Sequence, residues 1–549
     1  MNGAGGRRGP ALVVAAGLVV ATAVAALLIS GTPPNRSTSR AILATHSESW
    51  SRQLIGSTDI GPSHASSIEV DFGLATGSNK PTDLIGWAAR HGLHVLWVKG
   101  EPASVISGSA AAFGNALGDP IHEYRTAAGH SFYRSINVPS VPTSLRRIVT
   151  GIGTISSYGT IVSDPVPAAS GVPSGGLTPS GLLRAYSADP LASAGTDGSG
   201  ETIVFLEVDG YKQADLNAYA TQFTPKNPLN PVVEGGMASS GGEAPMDLEA
   251  AHGIAPGARL VYWNLGIANS GQLPGAFASA VTRATANFPG AIYSVSLGFC
   301  EQDFNSTDIQ TAAAAVDAAE KTGSSFYVAS GDNGGEECVY NWGDAPRKSG
   351  MGVQFPSDLP NVTAVGGTSL DVATSGAWLN ETSWSEPLLS GGSTGGVSTL
   401  VPMPAWQSGP GVVSSASSAQ SCGGNSSMCR EIPDVSADSD PATSAAFVID
   451  GAHTQEGGTS LATPIWAGLT ALIDEYLRGH GDARLGFGNP YFYALASRTG
   501  SSGAFHDITA GGNDWYSAGP GYDMVTGIGS PIVSVLAAQL VTMVGKAGS

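Results

Sequence analysis

Gly457-Gly458-Thr459-Ser460-Leu461-Ala462-Thr463-Pro464 runs directly into the apolar stretch Ile465–Ile473. Two glycines, two hydroxyl residues and then an apolar helical run put Ser460 in the first turn of a helix. There the hydroxyl lies beside unpaired backbone N–H groups at the positive end of the helix dipole. Small residues ahead of it let another backbone come close. A nucleophilic serine is presented in this way; a capping serine after a Gly-rich turn is the plainer alternative.

Two further stretches carry acids. Glu243-Ala-Pro-Met-Asp247 continues as Leu248-Glu249-Ala250-Ala251-His252. A spacing of four sets Glu243 and Asp247 on one helical face, one turn apart, and Pro245 is tolerated in a first turn. Carboxylates this close raise one another's proton affinity, so the pair can share a proton while one member acts as a base. Taken alone, such a pair is ordinarily a solvated face. Ser330-Gly331-Asp332-Asn333-Gly334 follows the apolar strand Phe326–Ala329. An acid in a Gly-rich turn at a strand's C-terminal end holds a ligand-site position of open α/β sheets, with a plain Asx-turn as the alternative.

From Thr178 to about residue 546, short apolar strands alternate with Ala-rich helical runs. Thr202–Val208, Leu260–Leu265, Ala291–Ser296 and Ser325–Ala329 are the strands, and Ile309–Lys321 is one of the helices. That alternation predicts a mostly parallel sheet flanked by helices, an α/β domain. The Gly/Ser-rich stretch Ser390–Cys429 reads as a long surface excursion. Ahead of this domain, residues 45–162 mix β-rich and helical segments (Ser67–Leu74, Pro81–His91), which predicts an α+β block. The segment 163–177, SDPVPAASGVPSGGL, is an extended, exposed linker and a good protease target. Within residues 1–31, Arg7 and Arg8 precede the apolar run Ala11–Ile29, the pattern of a signal peptide or a retained membrane anchor. Either way the rest of the chain is expected outside, secreted or anchored.

The chain has 549 residues and a net charge of −19 with only 25 Lys+Arg. Without a basic stripe, nucleic acid and anionic membrane surfaces are poor partners. Of the four cysteines, Cys422 and Cys429 flank a short loop and are expected to pair locally, leaving Cys300 with Cys338. No zinc-type spacing occurs. Asn35, Asn305, Asn361, Asn380 and Asn425 stand in glycosylation sequons.

Taken together, the motifs closely resemble the sedolisin family, the serine-carboxyl peptidases with a subtilisin-like fold. The resemblance covers nearly everything from Thr178 to Ser530. It includes Gly-Thr-Ser-x-x-x-Pro at Gly458–Pro464, the Glu-x-x-x-Asp pair and the Ser-Gly-Asp turn. Ser294-x-Ser296-x-Gly298, Pro404-x-Trp406-Gln407 and Ile432-Pro433-Asp434-Val435-Ser436 also match. It implies that Ser460 is the nucleophile, Glu243 the general base, Asp247 its partner and Asp332 the oxyanion-hole acid, acting on protein or peptide substrates. It also implies one Ca2+, held by Asp507, Asp523 and the carbonyls of Ile508, Gly519 and Gly521, with water completing the oxygen shell.

The block before Thr178 resembles the family's prodomain loosely, through Ile106-Ser107-Gly108-Ser109, Phe113, Leu117 and Val141-Pro142. That implies a zymogen whose own prodomain acts as inhibitor and chaperone, although a Tyr-His-x-x-Leu-Thr stretch is not evident. Asp332 can donate to an oxyanion only when protonated, while Glu243 must be ionised to accept a proton. The expected range is therefore acid, roughly pH 3–5. Two rivals stand beside this reading. Asp209, His252 and Ser460 occur in the order of a subtilisin triad, but His252 lacks the His-Gly-x-His setting. A non-catalytic binding protein on the same scaffold is the other.

Overall fold

The computed structural model describes residues 57–75, 80–126, 129–158, 166–167, 176–335, 337–338, 352–386, 391–409, 412, 422, 428–499 and 503–545. The expected leader or anchor lies outside them. Among the described residues, no helix is long and apolar enough to cross a membrane.

The first block is α+β, as its mixed texture predicts. It contains β1 (Thr58–Pro62), β2 (Ile68–Leu74), α1 (Thr82–Arg90), β3 (His94–Leu96), β4 (Ala103–Gly108), α2 (Ala110–Leu117), β5 (Ile121–Arg125), β6 (Ser131–Ser135) and β7 (Val149–Ile152). An antiparallel sheet in the order β3-β4-β2-β7 carries alternate buried residues, Ile68, Val70 and Phe72 on β2. With Leu84 and Trp87 of α1 and Phe113 of α2 they form a core of their own. Ser109 caps α2 through Ala112 N at 3.1 Å, and Gly118 ends it at φ 66°. In the linker, β8 (Val166–Pro167) is a two-residue strand.

The second block is built on β9 (Thr202–Glu207), β10 (Val232–Glu234), β11 (Arg259–Asn264), β12 (Ile292–Val295), β13 (Ser325–Ala329), β14 (Thr363–Val372), β15 (Trp378–Ser383) and β18 (Val435–Asp438). The sheet order is β10-β11-β9-β12-β13-β14-β15, with β18 also pairing β14. All these pairings are parallel except β14 with β15. Its central strands are apolar throughout because helices cover both faces. On one face lie α3 (Glu243–Ile254) and α6 (Thr459–Gly479), packed together over a core that includes Phe205, Tyr327 and Trp466. On the other lie α4 (Leu273–Asn287) and α5 (Ser306–Glu320), over Val204, Phe277 and Val328. Burying each large apolar side chain contributes about 1.5–3 kcal/mol. Gly468 lets α6 approach α3 closely, since a Cβ there would lie 3.1 Å from Ile254.

Strand boundaries agree with expectation to within a residue or two. The surface excursion needs correcting. Residues 391–399 are largely buried, and β16 (Gly396–Pro402) pairs antiparallel with β17 (Cys429–Ile432). Gly and Ser are frequent there because the segment packs tightly behind the turn that carries Asp332. Both expected disulfides, Cys300–Cys338 and Cys422–Cys429, are formed. One sequon is structurally committed: Asn305 caps α5 in a capping box, and its Nδ2 donates to Ile152 O in the first block.

Candidate active site

The site is assembled at the C-terminal ends of β9, β12 and β13, where open sheets place ligands. Asp209, just past β9, accepts the N–H groups of Glu243 and Ala244, each at 3.1 Å. It thereby caps α3 and sets Glu243 in the first turn. Glu243 lies beside Ser460, whose hydroxyl favours its ionised form. One turn on, Asp247 accepts from Ser296 Oγ at 2.6 Å, and Glu207 at the end of β9 hydrogen-bonds Asp247. Glu207, Glu243 and Asp247 are all buried, Asp247 completely.

Burial pushes all three carboxyls well above their ordinary range. The charge of Glu207 adds to the rise at Glu243 and Asp247, while the Ser460 hydroxyl pulls Glu243 back. These acids form one coupled group that sheds protons in steps.

Glu207 was not among the residues expected from sequence. Its signal was faint: an acid ending an apolar strand, two residues before Asp209. Ser296 was quoted only as part of a motif, yet it has a definite job. Pro464 has no N–H to give the Ser460 carbonyl one turn back, and Ser296 Oγ lies 3.2 Å from that oxygen. One hydroxyl proton cannot serve two acceptors. With Asp247 protonated, the carboxyl donates to Ser296 and Ser296 donates to the carbonyl of Ser460.

Asp332 follows β13 in the turn. Its Oδ1 accepts from Thr459 N at 2.7 Å and Thr459 Oγ1 at 2.8 Å, which places it directly beside the start of the helix that carries Ser460. Gly458 sits at φ 105°, and a Cβ there would be 2.6 Å from Asp332 Oδ2. Only glycine fits on both counts. Burial raises the Asp332 carboxyl, against the lowering effect of the Thr459 bonds. Beneath the turn, buried Glu337 accepts from Gln354 Nε2 at 2.8 Å, Thr394 Oγ1 at 3.0 Å and Asn333 Nδ2 at 3.1 Å. Its carboxyl is pushed up to about 7, chiefly by burial.

The subtilisin triad is not formed. Asp209 is the α3 cap, and His252 Nε2 bonds Thr224 Oγ1 at 3.0 Å and Asn227 O at 3.1 Å. Burial lowers the imidazole to about 4, so it is held neutral. Glu243 occupies the place beside Ser460.

At the other end of the chain, Asp507 accepts from Gly521 N at 3.0 Å and Asp523 from Gly519 N at 2.9 Å. Asp523 also takes the N–H groups of Val525 and Thr526. Both carboxylates thus converge on the loop 519–521. Among the described residues, no group of three or more His, Cys, Asp or Glu side chains could hold a metal. The expected donor set uses only two side chains, and its remaining ligands are carbonyls. An all-oxygen set of this kind suits a hard cation and fits Ca2+.

A profile of the subtilase family matches residues 233–482. Kumamolisin of Bacillus sp. (strain MN-32) is 33% identical over 65% of this chain and 62% of its own length. Sedolisin of Pseudomonas sp. (strain 101) is 36% identical over 54% of this chain and 49% of its own. The chain therefore spans about half to three-fifths of these relatives. Among solved structures, Pseudomonas sedolisin, described as a serine-carboxyl proteinase in complex with pseudo-iodotyrostatin, superposes with a TM-score of 0.55 at 29% identity. That match covers 67% of this chain and 99% of the other. Fold and site together define a subtilisin-like scaffold in which a glutamate, not a histidine, partners the serine. The chain is similar to kumamolisin and the sedolisins, with which it shares this scaffold.

Proposed function

We propose that the protein is a secreted, acid-acting serine-carboxyl endopeptidase made as a self-processing zymogen. The observation that carries this reading is the junction at Ser460: Glu243 beside it, Asp247 one turn behind, and Asp332 against the preceding residue. Ser460 Oγ attacks a peptide carbonyl and passes its proton to Glu243. Protonated Asp332 donates a hydrogen bond to the oxygen as it gains charge. Glu243 then returns the proton to the leaving amine, and water releases the acyl group by the reverse sequence. Asp507, Asp523 and the carbonyls of Ile508, Gly519 and Gly521 hold one Ca2+, which ties the C-terminal loop together. The first block acts as a prodomain, joined through the linker 163–177.

The test is digestion of a library of peptides blocked at both ends by purified, acid-treated protein across pH. Internal cleavage in acid, absent in Ser460→Ala, is expected. Cleavage that survives Ser460→Ala, or no cleavage by wild type at any pH, would discard the reading.

A further inference from the structure

Asp332 brings two carboxyl oxygens to the head of α6, and its surroundings treat them unequally. Both Thr459 donors fall on Oδ1, the backbone N at 2.7 Å and Oγ1 at 2.8 Å. Oδ2 lies on the side of Gly458, 2.6 Å from where a Cβ would stand, and no side chain is there to cover it.

The Thr459 hydroxyl has little freedom to turn elsewhere. Its oxygen accepts the N–H of Gly331, the residue before Asp332, at 3.0 Å. A hydroxyl carries one proton, and with Gly331 on its lone-pair side that proton points along the bond to Asp332. Thr459 is itself buried, and its carbonyl accepts from Thr463 Oγ1 at 2.8 Å. One side chain thus ties the turn ahead of Asp332 to the turn ahead of Ser460.

A neutral carboxyl has one oxygen that only accepts and one that bears the proton. Two donors converging on Oδ1 mark it as the accepting oxygen, because a proton there would face two others. We propose that Thr459 is a positioning residue that confines the Asp332 proton to Oδ2, the oxygen on the Gly458 side, where it is free to donate to the oxygen of a bound peptide carbonyl. What the proton is used for rests on the peptidase reading of the site; where it sits does not. With the proton on Oδ1 instead, a bare acceptor would face the developing charge and repel it. Thr459 acts on the reaction only through Asp332.

The charged groups that face Asp332 are Glu243 from α3 and Glu337 from beneath its own turn. Among the described residues, no Lys, Arg or His pairs with it. Burial holds the proton on, while the Thr459 bonds favour the ionised form and pull the other way. Thr459 therefore places the proton while weakening the hold on it.

The test reads the carboxyl directly, by infrared difference spectra between acid and neutral pH on the full chain carrying Ser460→Ala. The C=O stretch of protonated Asp332 is the band lost in Asp332→Asn. A carbonyl that accepts two hydrogen bonds absorbs at lower frequency than one that accepts none, so a low band is expected. Thr459→Val should raise that frequency and make Asp332 about a tenfold weaker acid, so that the band persists about one pH unit further toward neutral. Thr459→Ser, which keeps the hydroxyl, should return both toward their starting values. With Ser460 intact, Thr459→Val should lower kcat about tenfold and move the alkaline limb to higher pH, the acid limb staying in place. A starting band at the frequency of a carbonyl without hydrogen bonds, or a band and titration unmoved by Thr459→Val, would overturn the assignment. So would an equal loss of kcat at every pH with both limbs unmoved. Should Thr459→Val fail to fold, Thr459→Ala removes the same donor, and the band frequency before substitution decides by itself. Because the spectra need no turnover, an enzyme inactive at every pH would discard the peptidase reading and leave Thr459 in this role, and a misplaced band would do the reverse.

Discussion

At the scale of residues, the site depends on which acids hold protons. Glu207, Glu243 and Asp247 are all raised, so the ionised base appears at higher pH than isolated carboxyls would allow. Asp332 is raised too, so its hydrogen-bond donor survives further toward neutral. On the proposed mechanism the acid limb of activity should report loss of a proton from the coupled group, and the alkaline limb loss of the Asp332 proton. Removing the Glu207 charge removes a repulsion that raises Glu243. Glu207→Gln is therefore expected to move the acid limb to lower pH in a kcat profile and to leave the alkaline limb in place. An upward shift would mean that Glu207 does not act on the base. His252→Ala should cost stability but leave both limbs where they are, and a wild-type optimum near pH 8 lost with His252 would contradict the glutamate mechanism. Ser460 and the two helical acids were legible because their spacing is local. Glu207 was not, because its meeting with Asp247 joins a strand end to a helix about 40 residues away.

At the scale of elements, Asp209 caps the start of α3, the turn that carries Glu243, the proposed base. Asp209→Ala leaves the N–H groups of Glu243 and Ala244 without their side-chain partner, at a cost of about 1–2 kcal/mol. Both Tm and kcat should fall, because the helix's first turn carries Glu243, the proposed base. A variant that loses stability but keeps full kcat would show that the cap does not position Glu243. Asp209 could be read from sequence only as a rival catalytic acid. Its role as a cap is decided by β9 ending next to the start of α3.

At the scale of the whole molecule, the linker and the C-terminal loop bear the predictions. β8 pairs antiparallel with Glu456–Gly457, three residues before Ser460, so Val166–Pro167 lie near Ser460, the proposed nucleophile. N-terminal sequencing of acid-treated protein should find a new first residue within 163–177. A terminus well past Arg184, or a fully active uncut chain, would refute this. Calcium binding only the folded state adds about 2.7 kcal/mol at a hundredfold excess over Kd. Chelation should therefore lower Tm and activity together, and Asp523→Ala should remove the dependence of Tm on added Ca2+. Equal Tm with and without chelator in wild type would dismiss the site.

Periodicity and cysteine spacing by themselves determined the α/β architecture and the disulfide pairing, and short motifs singled out Ser460, Glu243, Asp247 and Asp332, which the structure brings into one region. The alternation of strands and helices and the Glu243–Asp247 spacing are local patterns, where helix and strand geometry fixes relative position. Only the tertiary structure decided that residues 391–399 are largely buried, that Ser296 serves the carbonyl freed by Pro464, and that Glu207 joins the acids. It alone also brought Thr459 against Asp332, which are 127 residues apart. Such contacts depend on the order in which strands lie in the sheet and on which helices cover each face, and no local pattern carries that information.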